Sequence, residues 1–306
     1  MDVKQQSIAV GWSGGIDSTA LLLLLRQCGY HVQAWHVDHA WHTDSANHCD
    51  QLAAQAKAWG VSFFHRRLPA PKNKNREALA RQGRFQAFSC LAKEHHVQTL
   101  CLAQHADDQA ETVCMRLLQG ASFKGCCGIH DQRVIAGLQI LRPLLHLTKQ
   151  CLKAALIQAE VPIIEDPSND DLSLWRNRIR HRLFPAMLAV EHSPRKLFFR
   201  WQQQAMALNN EIMQLADNVV IHQEKERCYV AWLVWQSSIQ PVRVEILQRM
   251  MACACGAGRI LGRRHILLID TWRAQGGRQG LDLSACRLTH KKSILQLSAG
   301  ANLKKS

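Results

Sequence analysis

The chain has 306 residues, of which 47% are hydrophobic, and no long low-complexity tract. That composition excludes an intrinsically disordered protein, and the length leaves room for two domains rather than one. The formal charge of +14 is uneven: residues 1–186 hold 21 Lys and Arg against 16 Asp and Glu, and residues 187–306 hold 17 against 8.

Ser7–Trp12 is a short apolar run that enters a glycine pair, and Thr19–Leu25 follows with helix formers, so the chain opens on strand, loop and helix. A strand at 31–37 precedes a helical stretch at 45–59, and a strand at 61–65 precedes a polar loop and a long helical pattern at 76–95. A fourth strand, 97–103, leads into a helix near Asp107. Strands alternating with helices predict an α/β fold: an open parallel sheet flanked by helices, Rossmann-like, with right-handed crossovers and ligands at the carboxyl ends of the strands. The polar motifs fall there, at 13–18, at His36–His39 and at 104–111.

The alternation fades after Pro185. Residues 194–224 read as helical, with Phe198, Trp201, Ala205, Leu208, Ile212 and Leu215 at spacings of three and four. Pro241 opens another helical stretch, 265–272 is a third, and 281–283 and 293–297 read as short strands, which predicts a smaller C-terminal α+β domain. The expected organisation is a catalytic domain at 1–190, a helical linker at 191–240 and a basic domain at 241–306. From Arg243 onward 12 basic residues face only Glu245, Asp270 and Asp282, which suits a polyanion and a solvated face equally.

Met1–Gln6 is not a basic region leading into an apolar one, and Leu21–Leu25 is far too short to span a bilayer, so a cytoplasmic protein with no membrane partner is expected. Twelve scattered cysteines without a Cys-x-x-Cys point to reduced thiols rather than to a disulfide framework or a zinc site. His36 and His39 flank Asp38, and hydrogen bonding is the preferred role for both.

Ser13-Gly14-Gly15-Ile16-Asp17-Ser18, followed by Thr19, is suited to holding phosphate. Its glycines let the backbone approach closely, the hydroxyls of Ser13, Ser18 and Thr19 add donors, and the helix start adds its positive dipole end. It lacks the lysine of a Walker loop. Downstream, Asp108 and Glu111 lie three apart and share a helix face, whereas Asp107 projects elsewhere.

The hexapeptide resembles the pyrophosphate loop of the N-type ATP pyrophosphatases, which cleave ATP between its α and β phosphates and adenylate a substrate. Gln104-His105-Ala106-Asp107-Asp108-Gln109-Ala110-Glu111-Thr112 is similar to a segment of tRNA(Ile)-lysidine synthetases and some tRNA thiolases. Asp166-Pro167-Ser168-Asn169 with Arg176-Asn177-Arg178-Ile179-Arg180 resembles signatures of the lysidine synthetases in particular. Glu77–Arg81 with Arg84-Phe85, and Arg142-Pro143-Leu144-Leu145, fit the same family. Gln104 replaces the first His of the usual pair, and His42 stands where an Arg often does.

The resemblance implies ATP and Mg2+ as cofactors, with free L-lysine and an isoleucine tRNA bearing a CAU anticodon as substrates. It implies Asp38, Asp108 and Glu111 as holders of the lysine ammonium and a magnesium ion, the metal falling to Asp38 and Asp108. Arg84, Arg176 and His105 complete the catalytic set, with residues 13–19 on ATP. The cluster Arg176, Arg178, Arg180 and Arg182 is expected to grip tRNA as well as ATP, and the basic domain to bind tRNA. A homodimer is among the expected partners. Lysidine synthetases come in longer and shorter forms, and tRNA discrimination is expected to fall on residues 187–306. A tRNA thiolase and a tRNA-binding protein without catalysis are the alternative readings.

Overall fold

The computed structural model describes residues 7–38, 45–69, 76–162, 172, 174–256, 261–283 and 286–300, with only the backbone of 45, 46 and 76–78. The chain divides into two compact units, residues 1–203 and 204–306.

The first unit opens with β1 (Ile8–Gly11), α1 (Ile16–Gln27), β2 (Val32–Asp38), α2 (Ser45–Ala58), β3 (Ser62–Arg67), α3 (Arg76–Glu94), β4 (Thr99–Cys101) and α4 (Ala106–Leu118). It continues through α5 (Phe123–Cys126), β5 (Gln132–Ile135), β6 (Leu138–Leu141) and α6 (Lys149–Gln158). A helical run then joins α7 (Trp175–Arg178), a π-turn (Ile179–Leu183) and α8 (Phe184–Leu188), before α9 (Pro194–Asp217) begins.

The sheet runs β3-β2-β1-β4-β6-β5, parallel throughout except for the β5–β6 hairpin at one edge. The inner strands β1, β2 and β4 are buried on both faces, which explains the apolar runs there. On one face Val10, Ala34 and Cys101 pack against Leu21 and Leu22 of α1, Leu52 of α2 and Leu152 of α6. On the other, Ala9, Trp35, Leu100 and Ile140 pack against Phe88 and Leu91 of α3. The strand order reverses between β1 and β4, which opens a crevice at their carboxyl ends.

The hairpin at 132–141 was not predicted from the sequence. Nor was all of 191–240 helical: β7 (His222–Glu224) and β8 (Arg227–Ala231) lie within it, before α10 (Trp232–Ser237). These strands belong to the second unit, which adds α11 (Gln240–Cys255), α12 (Arg263–Ala274), β9 (Leu281–Leu283), β10 (Cys286–Lys291) and β11 (Ile294–Ala299). Its sheet is antiparallel, in the order β7-β8-β11-β10-β9. Its core gathers Trp232, Trp235, Trp272, Ile246, Met250, Leu288, Leu295 and Leu297. Among the described residues no helix is long and apolar enough to cross a membrane.

Candidate functional site

The chain leaves β1 through Trp12 and turns at Gly14, whose φ of 81° is left-handed and costs a glycine little. Trp12 Nε1–H donates to Thr19 Oγ1 (3.0 Å), whose own proton goes to the Gly14 carbonyl (3.1 Å). Ser18 Oγ–H donates to the Gly15 carbonyl (3.1 Å) and its oxygen accepts from Ser13 N–H (3.2 Å). The hydroxyls of Ser18 and Thr19, expected to serve a ligand, are therefore spent on shaping the loop, and Thr19 is fully buried. What remains for phosphate is backbone and the exposed Ser13 hydroxyl, whose oxygen lies 3.2 Å from Ser18 Oγ. Gly15 caps α1 with no side-chain hydrogen bond, so the first N–H groups of the helix, from Ile16 on, lack intrahelical acceptors and sit at its positive end.

Across the crevice, His105 follows β4 and caps α4. Its Nδ1 accepts from Asp108 N–H (3.4 Å) while Asp108 Oδ2 accepts from His105 N–H (3.1 Å), a reciprocal capping box. His105 Nε2 lies 3.4 Å from Asp17 Oδ2, which joins the two loops. Burial works against the imidazolium, but the hydrogen bond to Asp17 and the charges of Asp108, Asp17 and Asp107 outweigh it and raise the His105 pKa. When protonated, Nδ1 has Asp107 Oδ2 as an acceptor at 3.5 Å. Burial likewise opposes the Asp17 carboxylate, yet His105, Lys149 and Arg180 hold its pKa below the ordinary value.

Asp108 and Glu111 do share a face, and both meet the arginine helix. Glu111 Oε2 accepts from Arg176 Nε (2.7 Å) and Arg180 Nη2 (3.0 Å), and Oε1 from Arg180 Nε (2.7 Å). Asp108 Oδ1 accepts from Arg176 Nη2 (2.9 Å). The four-residue step from Arg176 to Arg180 passes into the π-turn, an insertion that recurs at functional sites. Beneath these charges Ala110, Val113 and Cys114 of α4 pack on Ile179, Phe184 and Phe198, fixing the helix that carries them. Asp107 points elsewhere, as expected. Its Oδ2 accepts from Lys149 N–H (2.8 Å) and its Oδ1 pairs with Arg195, so it ties α4 to the starts of α6 and α9.

Among the described residues, two polar atoms of the site are buried without a hydrogen-bond partner: Arg84 Nε and Asp17 Oδ1. Burial, reinforced by neighbouring Arg81 and Arg176, lowers the Arg84 pKa, and its Nε is a desolvated donor. Asp17 Oδ1 is the complementary acceptor. Asp38 ends β2, buried, with Arg67 Nε at 3.5 Å from its Oδ2. His36 Nδ1 lies 3.0 Å from the Trp12 carbonyl, within hydrogen-bonding distance.

Gln104 holds Arg142, accepting from its Nε (2.8 Å), while Arg142 Nη1 donates to the His130 carbonyl (2.7 Å). Thus the position that departs from the family pattern anchors the Arg142-Pro143-Leu144-Leu145 stretch. Among the described residues no group of three or more His, Cys, Asp or Glu forms a metal site. His39, His42 and Asp166–Asn169 lie outside the described residues, as does the side chain of Glu77.

Sequence reasoning missed three participants. Asp17 was assigned to the phosphate loop rather than to an ion network, Lys149 (Nζ 4.0 Å from Asp17 Oδ2) carried no motif, and Arg195 lay in a predicted linker. The shared face of Asp108 and Glu111 and the cluster Arg176, Arg178, Arg180 and Arg182 were the signals that pointed toward the rest.

A model of the PP-loop domain matches residues 1–187. Among curated relatives, the chain is similar to the tRNA(Ile)-lysidine synthase of Chlamydia caviae, with 35% identity over 187 residues covering 60% of this chain and 59% of that protein. It is similar to that of Nostoc sp. at 36% over 187 residues (60% and 54%), and to that of Burkholderia mallei at 36% over 217 residues (68% and 44%). The chain thus spans about half the length of these relatives. Among solved structures, the U34-tRNA thiolase NcsA from Methanococcus maripaludis, with its [4Fe-4S] cluster, has a TM-score of 0.55 at 15% identity, covering 67% of this chain and 73% of that one. This last likeness is one of fold.

Proposed function

The chain belongs to the PP-loop family, and from that premise we propose that it ligates free L-lysine to the wobble cytidine of an isoleucine tRNA with a CAU anticodon. ATP first adenylates the C2 oxygen of the cytidine, which attacks the α-phosphorus as pyrophosphate leaves. The ε-amine of lysine, having shed a proton, then attacks C2, and AMP departs with the oxygen.

One observation carries the reading: the loop at 13–18, the segment 104–112 and the helix at 175–183 meet in one network, Asp17–His105–Asp108–Arg176–Glu111–Arg180. These are three separate stretches of the resemblance to lysidine synthetases, and the matched PP-loop domain, residues 1–187, spans all three. In this proposal the N–H groups at the start of α1 receive the pyrophosphate moiety of ATP. Arg84 and Arg176 supply guanidinium donors to phosphate or to the activated base.

Magnesium fits the residues present. A magnesium ion is usually held by one or two carboxylates together with substrate phosphates, so a protein cage of three acids is not required. The unpartnered Asp17 Oδ1 is an oxygen of the right chemistry, with Asp38 and Asp108 as further holders. Bound there, the ion would offset charge on the phosphates. Lysine's ammonium falls to Asp38, Asp108 and Glu111; two of these already neutralise Arg176 and Arg180, so the arginines position the acids before substrate arrives.

The test is to incubate the protein with ATP, magnesium, radiolabelled lysine and CAU-anticodon isoleucine tRNA. Label in tRNA with stoichiometric AMP is expected. AMP formed only with a sulfur donor identifies a thiolase, and RNA binding without ATP cleavage identifies a binder. Asp38→Ala is expected to abolish lysine transfer while tRNA affinity changes little; loss of both marks a folding role.

A further inference from the structure

His48 lies outside every stretch that carries the family resemblance, yet it touches the loop at 13–18. It sits in the opening turn of α2, with its Nε2 3.2 Å from the Ser13 carbonyl. A carbonyl only accepts, so Nε2 carries the proton in this contact. The preceding carbonyl is held in the same way, Trp12 O by His36 Nδ1 at 3.0 Å, and the centroids of the two imidazoles are 5.7 Å apart. Two consecutive peptides of the loop are thus gripped by their oxygens.

The other ends of these peptides differ. Both are trans and planar, so each N–H points opposite to its carbonyl. In the Trp12–Ser13 peptide the Ser13 N–H reaches Ser18 Oγ at 3.2 Å. In the Ser13–Gly14 peptide the Gly14 N–H meets no acceptor among the described residues, although Gly14 is buried. Buried backbone donors are nearly always paired, so this one calls for an acceptor that the described chain does not supply. The sheet order gives its direction. His36 comes from β2 and His48 from α2, which packs on β2 and β3; these lie on one side of β1, and β4 lies on the other. The Gly14 N–H therefore turns toward the crevice at the ends of β1 and β4.

Glycine at this position leaves the direction open. Rotating the Ser13–Gly14 peptide by half a turn would carry the Gly14 φ from 81° to the opposite sign, and glycine occupies both regions about as readily. The flipped peptide would present the Ser13 oxygen, with its partial negative charge, to an incoming anion. The hydrogen bond from His48 exists in only one of the two orientations, and it selects the one that offers the N–H.

We propose that His48 is a positioning residue for the phosphate loop: its Nε2–H holds the Ser13 carbonyl on the β2 side and so keeps the Gly14 N–H aimed at an oxyanion of a bound nucleotide. This role rests on the function proposed above, in which the oxyanion belongs to the pyrophosphate moiety of ATP, and adds the residue that sets the direction of the loop.

The test compares the wild-type full chain with His48→Phe, which keeps a ring and loses the donor, and His48→Gln, which keeps an N–H donor. Affinity for ATP with magnesium, affinity for adenosine, the thermal midpoint and lysine transfer are measured for each. His48→Phe is expected to weaken ATP binding by roughly 10-fold, the scale of one hydrogen bond to a charged group. Adenosine, which has no phosphate, should bind as before, and the thermal midpoint should not move. His48→Gln should recover most of the lost ATP affinity. Unchanged ATP affinity in His48→Phe overturns the proposal, as does an equal loss for adenosine or a His48→Gln variant no better than His48→Phe. A wild type that binds ATP and transfers no lysine overturns the functional reading, while a selective loss of ATP in His48→Phe still upholds the role of His48. A wild type that binds no ATP overturns both.

Discussion

Residues 1–203 and 204–306 carry the same net charge, +7 each, from 24 Lys and Arg against 17 Asp and Glu in the first and 14 against 7 in the second. They use it differently. The first unit draws Asp17, Asp107, Asp108 and Glu111 together at the carboxyl end of its sheet and matches them with His105, Lys149, Arg176, Arg180 and Arg195. The second builds its interior from Trp232, Trp235 and Trp272, and its inner ion pair, Arg243–Asp270 at 2.9 Å, braces α11 against α12. Charge converging in a crevice is the mark of a site, whereas charge spread over an apolar core marks a surface. The basic excess that the sequence places toward the C-terminus also depends on the boundary. Once the start of α9 is counted with the first unit, Arg195, Lys196 and Arg200 move to the side that holds the candidate chemistry.

The largest effect tests the second unit. Trp235 is fully buried, and its Nε1–H donates to the Arg243 carbonyl (3.2 Å). Trp235→Ala is expected to cost about 3–5 kcal/mol of stability in urea unfolding of the full chain. ATP affinity should be unchanged, and its loss would show that the two units do not divide stability and site as described. Glu111→Gln comes next. The side chain is 2% exposed and its charge balances two arginines that are 33% and 25% exposed. Removing one partner of a buried pair costs about 3–5 kcal/mol, and the partial exposure of the arginines places this variant near or below the lower end. Lysine transfer should fall at least ~100-fold, the scale of losing one preorganised electrostatic contact. A full-rate variant would remove Glu111 from the machinery.

The next effect is one of pH. The pKa of His105 is raised above its ordinary 6.5, so its contribution to stability is complete below that value and is lost as pH rises through the folded one. Asp17 is lowered from 3.8, so its contribution is present above that value and is lost as pH falls further. Wild-type stability should therefore decline on the alkaline side of 6.5, measured as the urea midpoint against pH. His105→Asn, which retains a capping side chain, should flatten that decline. A parallel decline in both proteins would place the titrating group elsewhere.

Much of this was legible before the structure. The parallel strands read clearly because both faces are buried, and the loop at 13–18 read clearly because its glycines and hydroxyls are local in sequence. The hairpins did not. Their turns are Ala136-Gly137, Lys225-Glu226 and Lys292-Ser293, and Ala136, Lys225, Lys292 and Ser293 take positive φ without being glycine. The Asn-Gly or Asp-Gly signal that ordinarily marks such a turn is missing from all three. At the site, residue types were legible but their pairing was not. Glu111 meets Arg176 and Arg180 across 65 and 69 residues, through a π-turn that no propensity marks. The hydroxyls of Ser18 and Thr19 looked like ligand donors because nothing local reveals that the loop carbonyls claim them first.

The smallest effect checks whether position, rather than charge, sets the value of an ion pair. Arg66 and Glu94 pair on the surface of the first unit, with side chains 43% and 47% exposed. Water screens such a pair, and holding two long side chains in place costs entropy, so Arg66→Ala should change stability by less than about 1 kcal/mol. High salt should erase even that difference, because exposed charges are screened within a Debye length of about 8 Å at physiological ionic strength. Measured in the same urea series, Arg66→Ala should fall well below Glu111→Gln. If the two cost the same, the buried network is no more than an arrangement of ordinary ion pairs, and the contrast between crevice and surface loses its energetic basis.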